Sequence, residues 1–252
     1  MLATVEVQKA AKKRLDQLLV EKGYFDSREK AQRAVMAGRV FTEDRRMDKP
    51  GMSVAEDIGL RVDGEDRYVG RGGFKMEGAL DGFGIDPTGL IALDIGASTG
   101  GFTDCLLQRG AAKVHAIDVG HNQLDWKIRS DPRVCVKEGI NARNLRREDI
   151  GDKPDIVVID VSFISLTLIL PAAFEVLGDE GRMIVLIKPQ FELSREKVDK
   201  GGIVKEAAYH EEAVEKIRIF VTETLDHQWM GVIPSPITGA AGNREFLAFL
   251  KP

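Results

Sequence analysis

Seven short apolar segments from residue 90 onward constrain the fold of this 252-residue chain more than any other feature. Between several of them lie stretches whose apolar residues have helical spacing, so strand and helix alternate along the chain. This alternation predicts an α/β fold with a mostly parallel, doubly wound, Rossmann-like sheet, and it places a site at the carboxyl ends of the strands. The predicted strands are residues 90–94, 114–118, 134–136, 156–160, 183–188, 229–233 and 246–250, and the predicted helices are residues 102–108, 168–177 and 209–224.

A glycine-rich turn joins the first of these strands to its helix. Residues 93–102 read Leu-Asp-Ile-Gly-Ala-Ser-Thr-Gly-Gly-Phe, and glycine allows the close backbone approach that a cofactor loop needs. The spacing Gly-x-x-x-Gly-Gly differs from the G-x-G-x-x-G of loops that bind a dinucleotide phosphate. It favours a cofactor without phosphate, and S-adenosylmethionine is such a molecule because it combines an amino acid, a sulfonium and an adenosine.

A second acid ends the next strand, where an acid that accepts ribose hydroxyls is expected. Asp118 follows Asp94 by 24 residues, close to the ~20-residue offset of such acids. The alternative is that both aspartates only cap helices. The predicted cofactor-binding residues are Asp94, Gly96, Ala97, Ser98, Thr99, Gly100, Gly101, Phe102, Asp118, Val119 and, near the adenine, Asn141.

The amino-terminal part differs from the rest in charge and pattern. Residues 1–62 carry a net charge of +3 and the remainder carries −7. Two short amphipathic helices are predicted, one from residue 12 to Gly23 and one from a cap at Asp26 and Ser27 to Gly38. Strands are predicted at residues 40–41 and 58–62. We therefore expect a small α+β domain over residues 1–62, a polar linker over 63–70 and a larger domain over 71–252.

The segment from Arg14-Leu15-Asp16 to Asp48-Lys49-Pro50-Gly51 resembles the small RNA-binding module named after ribosomal protein S4. The resemblance implies a helix pair whose basic side chains contact the phosphates of structured RNA, with the sequence-tolerant affinity that counterion release supplies. The alternative is an ordinary solvated helix surface. The RNA-binding candidates are Arg14, Arg28, Lys30, Arg33, Arg39 and, in the larger domain, Arg71.

Four charged residues stand beside glycine or proline or at the end of an apolar strand, in the order Lys75, Asp160, Lys188, Glu245. This order resembles the tetrad of FtsJ-like 2′-O-ribose methyltransferases. With the amino-terminal module, and with the runs at residues 68–75, 94–102, 160–166, 187–192 and 235–245, the chain is similar to the TlyA family, also labelled haemolysin-A-like. The resemblance implies that these four residues are catalytic, that the cofactor is S-adenosylmethionine and that the partner is ribosomal RNA or a ribosomal subunit, with cytidine as the target.

Methyl transfer from a sulfonium needs little acid catalysis, because the leaving group takes no proton, but a ribose hydroxyl needs a base. A lysine can accept that proton if burial or a second cation lowers its pKa. We expect Lys188 to activate the hydroxyl, Asp160 to orient it, and Lys75 with Glu245 to fix the ribose and balance the charge. The alternative is that the lysines form ordinary salt bridges with the acids.

Other classes of protein receive less support. Cys105 and Cys135 form no C-x-x-C pair and no histidine cluster lies near them, so neither a disulfide framework nor a metal site is expected. No apolar run approaches the ~18 residues that span a bilayer, which favours a cytoplasmic protein without membrane contact. Both tryptophans are expected in the core. A non-catalytic ribosome-binding or assembly factor, a small-molecule methyltransferase and a membrane-damaging protein remain as alternatives, and the oligomeric state stays open.

Overall fold

The computed structural model describes residues 11–25, 27–42, 45–64, 67–239 and 241–252. The chain forms two compact units, Met1–Arg67 and Tyr68–Pro252. The division falls inside the expected linker, because Tyr68 is only 3% exposed and its ring packs edge-on against Phe74 with centroids 5.3 Å apart. The end of residues 63–70 thus packs as part of the second unit.

The first unit combines two helices with short antiparallel strand pairs. Its elements are β1 (Lys12–Arg14), α1 (Leu15–Glu21), α2 (Arg28–Met36), β2 (Val40–Phe41), β3 (Ser53–Ala55) and β4 (Arg61–Val62). β1 pairs with β3 and β2 pairs with β4. One apolar cluster holds the unit together, with Leu15, Leu19 and Ala34 fully buried.

One local prediction in this unit is wrong, and another is confirmed for the described residue that it names. Residues 12–14 were expected to begin the first helix, yet they form β1, because backbone pairing with β3 about 40 residues later outweighs local helical spacing. The second helix is capped by Ser27, whose Oγ accepts a hydrogen bond from Lys30 N at 3.3 Å. The other expected cap, Asp26, lies outside the described residues.

The second unit alternates strands and helices along its length. Its elements are α3 (Gly72–Phe83), β5 (Ile91–Ile95), α4 (Gly101–Gln108), β6 (Lys113–Asp118), α5 (Trp126–Arg129), β7 (Val134–Glu138), α6 (Arg147–Ile150), β8 (Ile156–Ile159), α7 (Leu170–Leu177), β9 (Arg182–Ile187), α8 (Pro189–Glu192), α9 (Ala207–Ile219), β10 (Gln228–Pro234) and β11 (Phe246–Lys251). Single 3₁₀ turns lie at Ala142–Asn144, Leu166–Leu168 and Arg195–Lys197, and a π-helical turn at Phe220–Thr224 extends α9.

All seven strands predicted from residue 90 onward join one sheet, in the order β10-β11-β9-β8-β5-β6-β7. β5 to β9 are parallel, whereas β11 runs antiparallel to both β9 and β10. Phe246 at the start of β11 pairs with Ile187 at the end of β9. The start of β11 therefore lies at the edge where the parallel strands end.

The central strands β5, β8 and β9 are buried on both faces, which confirms the doubly wound prediction. Alternate residues of β8 belong to different apolar clusters: Val157 and Ile159 pack with α7, and Ile156 and Val158 pack with α3 and α4. Near-continuous apolar strands of this kind are typical of parallel sheets covered by helices on each side. Among the described residues, no helix is long and apolar enough to cross a membrane.

One expectation about the core is wrong. Trp229 is partly buried against the cluster around α7, but Trp126 at the start of α5 is 76% exposed. The helix α5 is only one turn long and buries Ile128. Residues two positions apart on a helix do not share a face, so the ring of Trp126 lies on the solvent side.

Candidate active site

A cavity of about 630 Å³ lies at the carboxyl ends of β5, β6 and β8. It brings together one residue of the predicted tetrad, Asp160, and five of the predicted cofactor residues: Gly96, Ser98, Asp118, Val119 and Asn141. The other predicted cofactor residues do not line it; they are Asp94, Ala97, Thr99, Gly100, Gly101 and Phe102. The glycine-rich segment thus has a cavity-facing part and a part that supports the fold.

Gly96 is required by the path of the backbone. Its φ is +86°, and a Cβ at this position would lie 2.5 Å from the carbonyl oxygen of Asp160, so a side chain would both strain the turn and collide with the end of β8. Gly101 has a different task. A Cβ there would lie 2.9 Å from Gly73 N, so this glycine allows α4 to pack closely on α3.

Asp94 is fully buried beneath the turn. Its Oδ2 accepts hydrogen bonds from Thr103 N at 3.0 Å and Thr103 Oγ1 at 2.6 Å, so it holds the first turn of α4. Its Oδ1 is buried and receives no hydrogen bond within the described part of the chain. Burial raises the pKa of this carboxyl to about 7, against the two bonds from Thr103, which lower it.

Asp118 presents its carboxylate at the cavity. Its Oδ2 accepts from Ser98 N and its Oδ1 accepts from Gly120 N, each at 2.8 Å. A carboxylate oxygen has two acceptor positions, so acceptor capacity remains for hydroxyl groups of a ligand. Together with the cradle at Gly96, this acid fits a nucleoside that carries no phosphate. Asn141 also lines the cavity, and its Oδ1 accepts from Arg143 N at 3.1 Å.

The predicted tetrad forms two ion pairs. Lys75, on α3, donates to Glu245 Oε2 at 2.6 Å, and these side chains are 9% and 3% exposed. Lys188, just after β9, lies 2.5 Å from Asp160 Oδ1 and donates to Ser162 Oγ at 2.8 Å. Burying charge has a desolvation cost that even a good pair rarely recovers. Stability alone is therefore a weak reason for two such pairs.

The two pairs lie at one edge of the sheet. Glu245 immediately precedes β11 and Lys188 immediately follows β9, and the intervening residues Phe246 and Ile187 are paired. Asp160 belongs both to the Lys188 pair and to the wall of the cavity. Each lysine contacts a carboxylate, as the alternative of ordinary salt bridges predicts. The Lys188 pair also lies where the catalytic role would require it, at the wall of the cavity.

Two basic candidates of the first unit, Arg14 and Arg28, meet at a buried acid. Asp16 is fully buried and binds Arg14 at 2.9 Å and Arg28 at 3.0 Å, while these arginine side chains are 48% and 46% exposed. Gln32 Nε2 donates to the same carboxylate at 2.7 Å. The hydrogen bonds from Arg14, followed by those of Gln32 and Arg28, hold the pKa of Asp16 far below its usual range.

The other RNA-binding candidates are dispersed. Lys30 and Arg33 are carried by α2. Arg39 Nη1 donates to Gly64 O at 2.5 Å. Arg71, in the second unit, donates to Thr238 O at 2.7 Å. Among the contacts described above, Asp16 is the partner that Arg14 and Arg28 share.

Sequence reasoning assigned no role to three polar residues that organise this region. Ser162 accepts from Lys188. Glu192 is buried behind the loop that follows β8. Asn243 accepts from Val204 N at 2.9 Å and donates to Gly202 O at 2.7 Å, so it ties the segment before Glu245 to the loop before α9. Each of the three lies inside a sequence run that carries the family resemblance, and that position is the signal that could have identified them.

Comparison with known proteins agrees with the class that the sheet and cavity define. Residues 68–251 match the FtsJ-like methyltransferase family and residues 13–66 match the S4 domain. The second unit is thus an enzyme of the methyltransferase class, with S-adenosylmethionine as its methyl donor.

Relatives that span nearly the whole chain narrow this assignment. YqxC of Bacillus subtilis is 47% identical over 241 residues, which cover 95% of this chain and 85% of that protein. The 16S/23S rRNA (cytidine-2′-O)-methyltransferase TlyA of Mycobacterium tuberculosis is 41% identical over 244 residues, 96% and 91% of the two chains. A solved hemolysin-type structure from Streptococcus thermophilus has a TM-score of 0.74 and 46% identity, and the match covers 96% and 89% of the chains. The chain belongs to the FtsJ-like methyltransferase family, in its TlyA and hemolysin A branch.

Proposed function

We propose that this protein methylates the ribose 2′-hydroxyl of a cytidine in ribosomal RNA. The single observation that carries the proposal is the double position of Asp160, which lines the cavity and contacts Lys188. A base paired with a residue at the donor cavity can reach an acceptor hydroxyl held against the donor. The Mycobacterium tuberculosis relative is a 16S/23S rRNA (cytidine-2′-O)-methyltransferase, which supports ribosomal RNA as the substrate and cytidine as the target.

The residues around the cavity would hold S-adenosylmethionine as follows. The turn at Gly96 and Ser98 would receive the amino-acid portion, Asp118 would accept the ribose hydroxyls, and Asn141 would lie near the adenine. Asp94 supports the turn from below through its bonds to Thr103. When bound, the donor supplies an electrophilic methyl group whose leaving group needs no proton.

The tetrad prepares the acceptor. Lys188 would accept the proton that the 2′-hydroxyl loses when its oxygen is methylated. Asp160 and Ser162 fix the Nζ that receives the proton. Lys75 and Glu245 would hold the ribose and balance the charge. Aligned reactants of this kind can gain about 7–11 kcal/mol over free encounter.

The first unit would bring RNA to this site. It matches the S4 domain, and Arg14 and Arg28 keep about half of their side-chain surface exposed although both bind Asp16. Guanidinium groups oriented by a buried carboxylate can contact phosphates without a further loss of side-chain freedom. We assign ribosomal RNA, naked or within a subunit, as the partner of this unit.

The proposal is tested by transfer of a tritiated methyl group to purified ribosomal subunits and by mapping 2′-O-methyl nucleotides. We expect Lys188→Ala to lower the rate by about 10²–10⁴-fold, the usual contribution of a general base, while binding of S-adenosylmethionine is retained. Lys197→Ala is the matched control, because Lys197 pairs with exposed Glu212 at 2.5 Å. Transfer by Lys188→Ala at the wild-type rate, or a wild-type chain that does not bind the donor, would refute the proposal.

A second experiment separates an RNA enzyme from a small-molecule methyltransferase. The double variant Lys30→Glu, Arg33→Glu reverses two charges on α2 of the first unit. We expect weaker binding to ribosomal RNA and slower transfer, with unchanged affinity for the donor. If transfer to ribosomal RNA is unchanged, the first unit does not deliver the substrate.

A further inference from the structure

Glu192 is a buried carboxylate outside the tetrad and the cavity. It ends α8 and its side chain is 1% exposed. Its Oε2 accepts from Ser165 Oγ at 2.5 Å and from Lys216 Nζ at 3.1 Å, and its Oε1 accepts from Leu166 N at 2.8 Å. A buried charge with this many partners is costly to assemble, so its position calls for a reason beyond packing.

Glu192 joins the two chain segments that carry one of the ion pairs. Ser165 and Leu166 lie at the far end of the loop that begins with Asp160, and Glu192 lies four residues after Lys188. The segments meet once at the site, through Lys188 and Asp160 at 2.5 Å, and again behind it, through the Glu192 carboxylate. The second contact fixes the distance between the backbones that bear the first.

The loop from residue 160 to 166 needs such an anchor. Phe163 has a φ of +62°, a left-handed conformation that costs a bulky residue free energy and persists only where the surroundings enforce it. Its ring is 90% exposed and its ring centroid lies 5.1 Å from that of Phe191, the neighbour of Glu192. An exposed side chain gives the strained backbone little support, so the bonds from Ser165 and Leu166 to Glu192 must supply it.

The anchor depends on a negative charge. Lys216, on α9, donates both to the carboxylate of Glu192 at 3.1 Å and to its carbonyl oxygen at 2.6 Å. A glutamine at this position has one acceptor oxygen in place of two. It would leave Lys216 without its counter-charge and would turn an amino group toward Ser165 or Leu166.

We propose that Glu192 is a positioning residue for methyl transfer, because it holds the loop of residues 160–166 so that Asp160 stays in contact with Lys188. The inference rests on the proposed function. It acts through the geometry of the ion pair and involves no contact between Glu192 and either substrate.

The test uses the full chain with Glu192→Gln, Ser165→Ala, Ser165→Thr and the control Glu212→Gln, whose carboxylate pairs with Lys197 on the surface. We expect Glu192→Gln to lower the single-turnover rate by about 10–100-fold, as misplacement of reacting groups by about an ångström does, with affinities for donor and RNA within twofold of wild type. Ser165→Ala should lower the rate less than Glu192→Gln does. Ser165→Thr, which keeps the hydroxyl, and the control Glu212→Gln should both have the wild-type rate.

Hydrogen exchange at peptides covering residues 160–166 provides a readout that does not need activity. We expect the Leu166 amide to exchange at least tenfold faster in Glu192→Gln and in Ser165→Ala. A wild-type chain inactive on ribosomal RNA, with this acceleration present, would refute the proposed function and still show that Glu192 anchors the loop of residues 160–166. Unchanged exchange, transfer within twofold of wild type by both variants, or a rate loss matched by an equal loss of donor affinity would overturn the inference.

Discussion

Replacing Asp94 by asparagine separates the charge of this carboxyl from its bonds to the start of α4. Burial raises its pKa to about 7 from an ordinary value of 3.8, and a difference of about three pKa units corresponds to about 4 kcal/mol. Between these two values the folded wild type binds more protons than the unfolded chain. Its free energy of unfolding therefore falls as pH rises from about 4 to 7, by this carboxyl's contribution, and then levels off.

Asparagine removes that pH dependence and adds a constant cost. Its oxygen can still accept from Thr103, but its amino group would take the position of Oδ1, where no described group bonds. An unsatisfied buried donor costs about 1–3 kcal/mol at every pH. The diagnostic quantity is therefore the slope: stability of the variant minus that of wild type should rise by up to about 4 kcal/mol between pH 4 and pH 8.

Urea unfolding followed by tryptophan fluorescence measures this difference, because Trp126 and Trp229 both lie in the second unit. Asp86→Asn is the matched control. Its exposed carboxyl has a lowered pKa because it accepts hydrogen bonds from Thr88. The stability of this control variant minus that of wild type should therefore fall slightly, and not rise, between pH 4 and pH 8. A difference between Asp94→Asn and wild type that stays constant from pH 4 to pH 8 would refute the reasoning about burial.

Three further substitutions have directions fixed by the structure. Asp16→Asn leaves two arginines without their buried partner, so we expect the free energy of unfolding of the first unit to fall by about 2–4 kcal/mol near neutral pH. Because the pKa of Asp16 is lowered, this difference from wild type should vanish as acid protonates the wild-type carboxyl. Urea unfolding followed by circular dichroism measures it. Gly96→Ala places a Cβ 2.5 Å from the Asp160 carbonyl at a φ of +86°, so calorimetry should find at least tenfold weaker donor binding and about 1–3 kcal/mol lower stability. Gly239→Ala places a Cβ 2.4 Å from Glu245 Oε1, so methyl transfer should slow while donor binding persists; equal rates would show that Glu245 tolerates displacement.

The sheet was predictable because burial on both faces makes its central strands continuous apolar runs, which stand out against the polar turns between them. The short strands of the first unit were not. Lys12–Arg14 carries no strand signal of its own, and its pairing with Ser53–Ala55 is a tertiary event that local spacing does not encode. The exposure of Trp126 was missed for a related reason, because a one-turn helix has no periodicity to read.

The candidate site was predictable where strand ends decide position. Asp118, Asp160 and Lys188 each end or follow a parallel strand, so the sheet brings them to one edge. Glu245 precedes its strand and reaches the same edge only because β11 is antiparallel, which the sequence does not show. Within the glycine-rich turn, only backbone angles and close contacts separate the cavity-facing Gly96 from Gly101, which serves helix packing.

The insertion of β11 between β9 and β10 has a consequence for the order of folding. Until β11 is in place, β9 is an edge strand with unpaired backbone groups and apolar side chains on both faces, the kind of edge on which chains aggregate. The cavity is built from residues 95–169, whereas the Lys75–Glu245 pair joins residues 170 positions apart, and contacts so distant in sequence form slowly. A refolding chain should therefore regain affinity for the methyl donor before it regains the ability to use it.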